Sequence, residues 1–353
     1  MMRKLEDMLN AIQPLDRALL QQARDRLDLM AIPRGSLGRL EEFAQRVAGI
    51  RNTLDPAPGK KAIAVFAGDH GVAEEGVSAF ARDVTAQMVY NFVRGGAGIN
   101  VLARQAGASV VVVDIGVAID LQPQEGLLIR KVAHGTRNMR RFPAMEKDEA
   151  LKALLVGVQI AEDLASKEVT LIGTGDMGIA NTTASSAITA VLTGRSVEEV
   201  TGRGTGVTDD MLRHKVKVIR EAIDLHRPDP RHPMDVLAKL GGLEIAGIAG
   251  LIIGSAFHRI PVVVDGFISS AAALVAVSLK SALREYLFAG HRSAEQGHRI
   301  VLEWLGLDPL LDLSMRLGEG TGAVLGMFLI ESGIRVLREV LTFEQAGVKK
   351  AVH

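Results

Sequence analysis

The sequence predicts an α/β protein built on a doubly wound, mostly parallel sheet. Three observations carry this. From residue 61 onward, short β-rich runs alternate with helical runs, the order that builds strand–helix–strand crossovers. The strand candidates are continuously apolar rather than alternating, as in strands covered on both faces. Nearly every one ends in glycine or polar residues. That lines up chemically useful positions along the sheet edge where open parallel sheets bind ligands.

Residues 1–57 read as helical, because "LDRALLQQARDRLDLM" and "LGRLEEFAQRVAGIRNTL" repeat apolar residues at helical spacing. "IPRGSLG" separates the two, with Ser36 as a capping residue flanked by Arg34 and Arg39. That junction reads as an anion site or as a plain interhelical turn. "DPAPGKK" at 55–61 is a turn-rich boundary. Strands are predicted at 62–69, 109–116, 168–176, 260–266 and 285–291. Helices are predicted at 84–106, 147–166, 181–192, 208–225, 243–258 and 267–283, and 294–353 returns to long helices.

Composition narrows the function. The 353 residues carry 41 basic and 41 acidic side chains, so there is no electrostatic footprint for nucleic acid or an anionic membrane. Two tyrosines and one tryptophan leave little for base stacking. The absence of cysteine excludes disulfides, thiolate metal sites and thiol nucleophiles. The N-terminus has charges scattered through its apolar positions, unlike a signal peptide. The most apolar region, 243–279, is interrupted by Glu244, His258, Arg259 and Asp265, so it does not read as a membrane span. A soluble cytoplasmic protein is expected.

Five segments carry candidate chemistry. "GTGDMGIANTTASSAI" (173–188) follows a strand and opens a helix, where backbone N–H groups and the helix dipole favour an anion. Asn181, Thr182 and Thr183 can cap and donate. The segment reads as a phosphate cradle or as a tight βα turn. It lacks the Gly-Lys-Ser/Thr of a P-loop, and its bare G-x-G-x-x-G lacks an acid at the next strand end. "TGRGTGVTDD" (201–210) is a second Gly-rich turn, with Arg203, and could grip the same phosphate. Lys215 in the following helix is a charge partner or an exposed lysine.

"FAGDHGVAEEGVSAF" (66–80) sets Asp69 and His70 at a strand end. No second histidine sits at ligand spacing, which disfavours a metal, and Glu74 and Glu75 are expected to face solvent. Ser78 and Phe80 offer a lining for a flat ring. "GHRSAEQGH" (290–298) brings His291, Arg292, Ser293 and His298 together without a nucleophile elbow. It suits hydrogen bonding to a sugar or phosphate, or a loop capped by Ser293. In "RLGEGTGA" (316–323), Glu319 is one carboxylate among glycines: a helix-start acid, or a base over a substrate.

In this order the segments resemble the nicotinate-nucleotide–dimethylbenzimidazole phosphoribosyltransferase family of the cobalamin lower-ligand pathway. The matching runs are "PRGSLGRLE", "FAGDHGV", "VSAF", "GDMGIANTT", "GRGTG", "GGLEIAGIAG", "DGFISSAAAL", "GHRSAEQGH" and "RLGEGTGA", spanning roughly 33–323. The resemblance implies a Rossmann-like large domain, 58–292, and a small helical domain from both termini, 1–57 plus 293–353. It implies a homodimer and no metal or organic cofactor. Phosphoribose would move from nicotinate mononucleotide to 5,6-dimethylbenzimidazole, giving α-ribazole 5′-phosphate and nicotinate.

Matched to the family motif, Glu319 is the base. Asp176, Asp265, Ser293, Gly175, Gly178, Gly202 and Gly204 would be nucleotide-side contacts. Asn181, Thr182, Arg203 and Lys215 would serve the phosphate. Ser78, Phe80, Gln87 and Met177 would line the base pocket. The family pattern G-E-M-G-I-G-N-T-T is altered twice, by Asp176 and by Ala180, and many relatives carry proline where this chain has Ala81. Ala180 implies a backbone position without positive φ. The glycines around Glu319 would let a flat ring lie under its carboxylate. The ring and nearby helix ends would raise its pKa. Two rival readings, a dinucleotide-dependent oxidoreductase and a nucleotide-binding regulatory module, are disfavoured by the order of the motifs.

Overall fold

The computed structural model describes residues 1–204 and 206–349. Three helices open the chain: α1 (Met2–Ala11), α2 (Arg17–Asp28) and α3 (Arg39–Arg51). Next come β1 (Lys60–Gly68), α4 (Val84–Val93), α5 (Gly98–Ala106), β2 (Ala108–Gly116) and β3 (Leu127–Ile129). The middle of the chain holds α6 (Lys147–Ser166), β4 (Val169–Met177), α7 (Asn181–Thr193), α8 (Val197–Val200), α9 (Asp209–His226), α10 (Pro233–Leu240) and α11 (Leu243–Phe257). The last part is β5 (Val262–Val264), α12 (Phe267–Leu279), β6 (Leu287–His291), α13 (Gln296–Leu305), β7 (Pro309–Leu311) and α14 (Thr321–Glu339).

Among the described residues, seven strands form one sheet in the order β3-β2-β1-β4-β5-β6-β7, and every pair is parallel. The chain runs outward from β1 to β3, then restarts on the other side with β4. That reversal places the switch point of the sheet between β1 and β4.

Both faces are covered. On β1, Ile63 and Phe66 sit at positions of opposite parity and so point to opposite sides. Phe66 meets Gly247 of α11, while Ile63 meets Gly320 at the start of α14. Helix α11 is buried along almost its whole length. It lies directly on α6: a β-carbon on Gly250 would be 1.8 Å from the carbonyl of Leu154. This accounts for Gly250 of "GGLEIAGIAG", as Phe66 does for Gly247. A separate apolar cluster, including Leu27, Met30, Ala44 and Leu337, ties α2 and α3 to α14.

Several expectations are corrected. The helix expected at 84–106 is two, because Gly95 takes φ 76 and ends the first. The 285–291 strand begins only at Leu287, after a 3-10 turn at Ser281–Tyr286. The edge strands β3 and β7 are three residues long, too short to show a pattern. Ser36 does not cap α3; Gly38 occupies the N-cap position without a side-chain cap, and Arg39 donates to the carbonyls of Asp308 and Pro309 at the start of β7. Glu75 turns inward to pair with Arg140 and Arg141. No described helix is long and apolar enough to cross a membrane.

Candidate active site

The carboxyl ends of β4, β5 and β6 open into one cavity of about 410 Å³. The ends of β1 and β2 do not line it, contrary to a row of five. Their acids bind backbone instead: Asp69 accepts from Ala118 N–H at 2.7 Å and Asp114 from Val117 N–H at 2.9 Å. His70 bonds to buried Glu244 at 2.6 Å. Among the described residues, no three His, Asp or Glu side chains lie together as metal ligands.

Glu319 lies in this cavity's wall, 5% exposed. Gly318, Glu319 and Gly320 are left-handed in succession, with φ 84, 63 and 97. Glycine takes that region freely; for glutamate it costs about 1–2 kcal/mol. The glycines therefore shape the turn, and Gly318 also lines the cavity. The turn is held from two sides. On one, Asp265 accepts from Gly322 N–H at 2.6 Å, Ala323 at 3.0 Å and Gly320 at 3.1 Å, capping α14. On the other, Gly175 of β4 packs against the Glu319 backbone.

Asp265 and Gly175 thus support Glu319 instead of facing the cavity. Burial pushes the Asp265 carboxyl up to about 6 even though backbone donors favour its charge. Burial likewise raises Glu319, and Asp265 adds to this. The Ile99 N–H in the first turn of α5 donates to Glu319 Oε2 at 3.1 Å and works the other way. A helix end lowers this pKa, against expectation, because its N–H groups favour the anion.

Asp176 lines the cavity. Its Oδ2 accepts from Asn181 Nδ2 at 3.0 Å, while its Oδ1 has no partner among the described residues. Burial, with Asp265, Glu244 and Glu319 nearby, raises its pKa well above the ordinary value. Ala180, just before α7, has φ 72, so the absence of positive φ inferred from its side chain is overturned.

Thr182 and Gly204 face the cavity from the two Gly-rich turns. Behind them Lys215 Nζ donates to Thr182 Oγ1 at 2.8 Å and to the Gly202 carbonyl at 3.4 Å. Burial lowers Lys215 to about 8, with Glu295 nearby opposing. Gly202 lies behind the wall, where a β-carbon would be 2.3 Å from Glu295 Oε2. Arg203 turns outward to the Val207 carbonyl and Asp209, because its own loop supplies an acceptor and an acid. Gly178 and Ser293 line the cavity. His298 Nδ1 accepts from the Ser293 N–H at 2.8 Å.

On the apolar side stand Met177, Phe80, Val84, Met88 and Leu317. Phe80 is 54% exposed, at the mouth. Gln87 is not part of the wall. The cavity face of α4 is Val84 and Met88, one turn apart, and Gln87 is exposed and donates to Asp83. Ser78 lies outside the wall, and its Oγ accepts from the Phe80 N–H. Sequence reasoning assigned no role to Glu295, Arg316 or Leu317, although all three lie within segments it singled out. Glu295 accepts from Gly204 N–H at 3.3 Å, and Arg316 donates to the Gly204 carbonyl at 3.0 Å.

Comparison with known proteins agrees with this architecture. The phosphoribosyltransferase family model matches residues 12–348. The nicotinate-nucleotide–dimethylbenzimidazole phosphoribosyltransferase of Citrifermentans bemidjiense is 57% identical over 347 residues, covering 98% of this chain and 99% of that protein. The enzyme of the same name from Geobacter sulfurreducens is also 57% identical over 347 residues, with the same coverage. A crystal structure of CobT from Thermus thermophilus superposes with a TM-score of 0.91 at 46% identity, covering 95% of this chain and 100% of that one. This chain therefore belongs to the nicotinate-nucleotide–dimethylbenzimidazole phosphoribosyltransferase family.

Proposed function

We propose that the chain moves the 5-phosphoribosyl group of nicotinate mononucleotide to a ring nitrogen of 5,6-dimethylbenzimidazole. The products are nicotinate and α-ribazole 5′-phosphate, with inversion at the anomeric carbon. The observation that carries this is that Glu319, buried and raised in pKa, shares one cavity with Thr182 and Gly204, which Lys215 backs.

The chemistry asks little of the protein. The pyridinium leaving group becomes neutral as it departs. The anomeric carbon gains positive charge, which nearby carboxylates stabilise. The attacking benzimidazole nitrogen is neutral, and the other ring nitrogen must lose its proton. Glu319 takes that proton as general base, aided by a pKa lifted toward the working pH. Attack opposite the leaving pyridine turns β into α. Thr182, Gly204 and the loop braced by Lys215 hold the phosphate. Asn181, Gly178, Asp176 and Ser293 complete the nucleotide side. Met177, Phe80, Met88 and Leu317 enclose the benzimidazole. Asp265 and Gly175 act through Glu319, by fixing its turn.

The packing of α2 and α3 on α14 supports a helical group drawn from both termini, beside the sheet to which β7 also belongs, with proposed boundaries of 1–57 plus 293–353 for the small unit and 58–292 for the large one. Exposed Val101, Leu317 and Phe328 support a homodimer. The enzyme is assigned to the cytoplasm. The deciding experiment assays nicotinate release from nicotinate mononucleotide against a panel of bases, with the product anomer read by NMR. Release with dimethylbenzimidazole and an α product is expected; no release with any base would remove the assignment.

A further inference from the structure

His291 is left unused by the mechanism above, yet it is the least satisfied polar side chain of the site. It ends β6, is 1% exposed and lines the cavity. Neither ring nitrogen makes a hydrogen bond of acceptable geometry among the described residues, although the Arg292 backbone lies close enough to influence the ring. Its nearest acid is Asp265, 3.9 Å from Nε2, and the oxygens of that carboxylate are already taken by the amides of α14. Buried polar groups are rarely left this way, and an exception inside a ligand cavity points to the ligand.

The ring is held firmly. It packs edge-on against Gly322, where a β-carbon would be 1.9 Å from Cδ2. This is three residues from Glu319. The same chain then runs to Ser293 and to Glu295, which reaches the Gly204 N–H. His291 therefore stands between the acid end of the cavity and its phosphate end. The part of a phosphoribosyl group that spans those ends is the ribose.

We propose that His291 is a substrate-binding residue that hydrogen-bonds a ribose hydroxyl of the phosphoribosyl donor. The proposal rests on the transfer reaction proposed above. The alternative ligand groups are anions, and two facts disfavour them. Burial lowers the pKa of His291, which keeps the imidazole neutral. Asp265, Asp176 and Glu319 lie near one another at this end, where burial and mutual proximity already disfavour their own ionisation, so a further anion would be disfavoured there too. A hydroxyl both donates and accepts, so it satisfies a neutral imidazole in either tautomer.

The test is a cycle between side chain and substrate atom. Wild-type enzyme is assayed with nicotinate mononucleotide and with its 2′-deoxy and 3′-deoxy forms. Loss of the contacted hydroxyl is expected to lower kcat/KM about 10-fold to 100-fold. In His291→Phe, which keeps a ring against Gly322, ribo and deoxy substrates should agree within about threefold, and His291→Asn should restore part of the discrimination. Where His291→Phe fails to fold, the ring nitrogen-15 signals of wild-type His291 decide. They should move on adding nicotinate mononucleotide and stay put on adding nicotinate. A folded His291→Phe enzyme that discriminates as the wild type does, or unmoved ring signals, overturns the proposal while leaving the transferase reading intact. No transfer by the wild type with any base removes both.

Discussion

A β-carbon placed on Gly175 would lie 2.5 Å from the carbonyl oxygen of Glu319, so strand β4 and the acid-bearing turn meet backbone to backbone. The glycine does not serve the substrate directly; it sets the depth at which the carboxylate sits. Gly175→Ala should push the turn outward, lower turnover about 10-fold to 100-fold and leave nucleotide KM nearly unchanged. Stability should fall by about 1–3 kcal/mol. Steady-state kinetics and urea unfolding check both. Wild-type turnover in the folded variant would show that the turn tolerates displacement.

Glu319→Gln should lower turnover about 10²–10⁴-fold while nucleotide affinity stays within a few-fold. The base works only when ionised, and burial raises its pKa above the ordinary 4.5. The wild-type rate should therefore fall on the acid side at a pH above 4.5, and the remaining activity of the variant should lack that limb. The stability effect has the opposite sense. A carboxyl raised on folding contributes stability below its ordinary pKa and loses that contribution as pH rises through the folded value. The glutamine variant should therefore be the more stable protein at neutral pH, with the gap closing below pH 4.5. Equal stabilities at neutral pH would contradict the raised pKa.

Ala180 holds a left-handed backbone, φ 72 and ψ 9, at the start of α7. A β-carbon there costs about 1–2 kcal/mol, partly offset by the larger unfolded-state entropy of glycine. Ala180→Gly should stabilise the protein by about 1 kcal/mol with kinetics near wild type. Chemical denaturation decides this; a loss of stability would mean that the methyl group packs better than the backbone strains.

His298 should stay neutral and position Ser293. Its Nδ1 accepts from Ser293, so the proton sits on Nε2 and is donated to Ser270 Oγ at 2.9 Å. Burial, with His291 and Arg292 nearby, pushes its pKa down to about 3. A histidine lowered on folding contributes stability above its unfolded pKa and loses it as pH falls toward the folded value. Between 6.5 and about 3, this site should destabilise the fold by up to about 1.4 kcal/mol per pH unit. Unfolding of His298→Gln should show a shallower acid slope than wild type, and the ring should not titrate by NMR between about pH 5 and 8. Parallel slopes, or a titrating ring, would refute the neutral assignment.

The amino-acid order by itself determined the α/β class, the five main strands and the segments that meet at the site. Each of these leaves a local mark. A buried parallel strand is a continuous apolar run, and a ligand edge shows as glycine and polar residues at the strand ends. Thr182 and Ser293 were legible for that reason and Gly204 by its Gly-rich turn, while Met177 and the base role of Glu319 came through the family resemblance. What each residue does there was decided only in three dimensions. Gly175 and Asp265 were read as substrate contacts, but their partners are the backbone of the Glu319 turn, distant in the chain. Arg203 and Gln87 carry suitable groups yet spend them on Asp209 and Asp83. His291 and Glu295 stood inside a recognised segment, but the orphaned nitrogens of one and the loop contact of the other exist only in the folded chain. The physical reason is range: spacing along a strand or helix encodes which way a side chain faces, while hydrogen-bond partners, desolvation and backbone contact depend on what the rest of the chain brings to meet it.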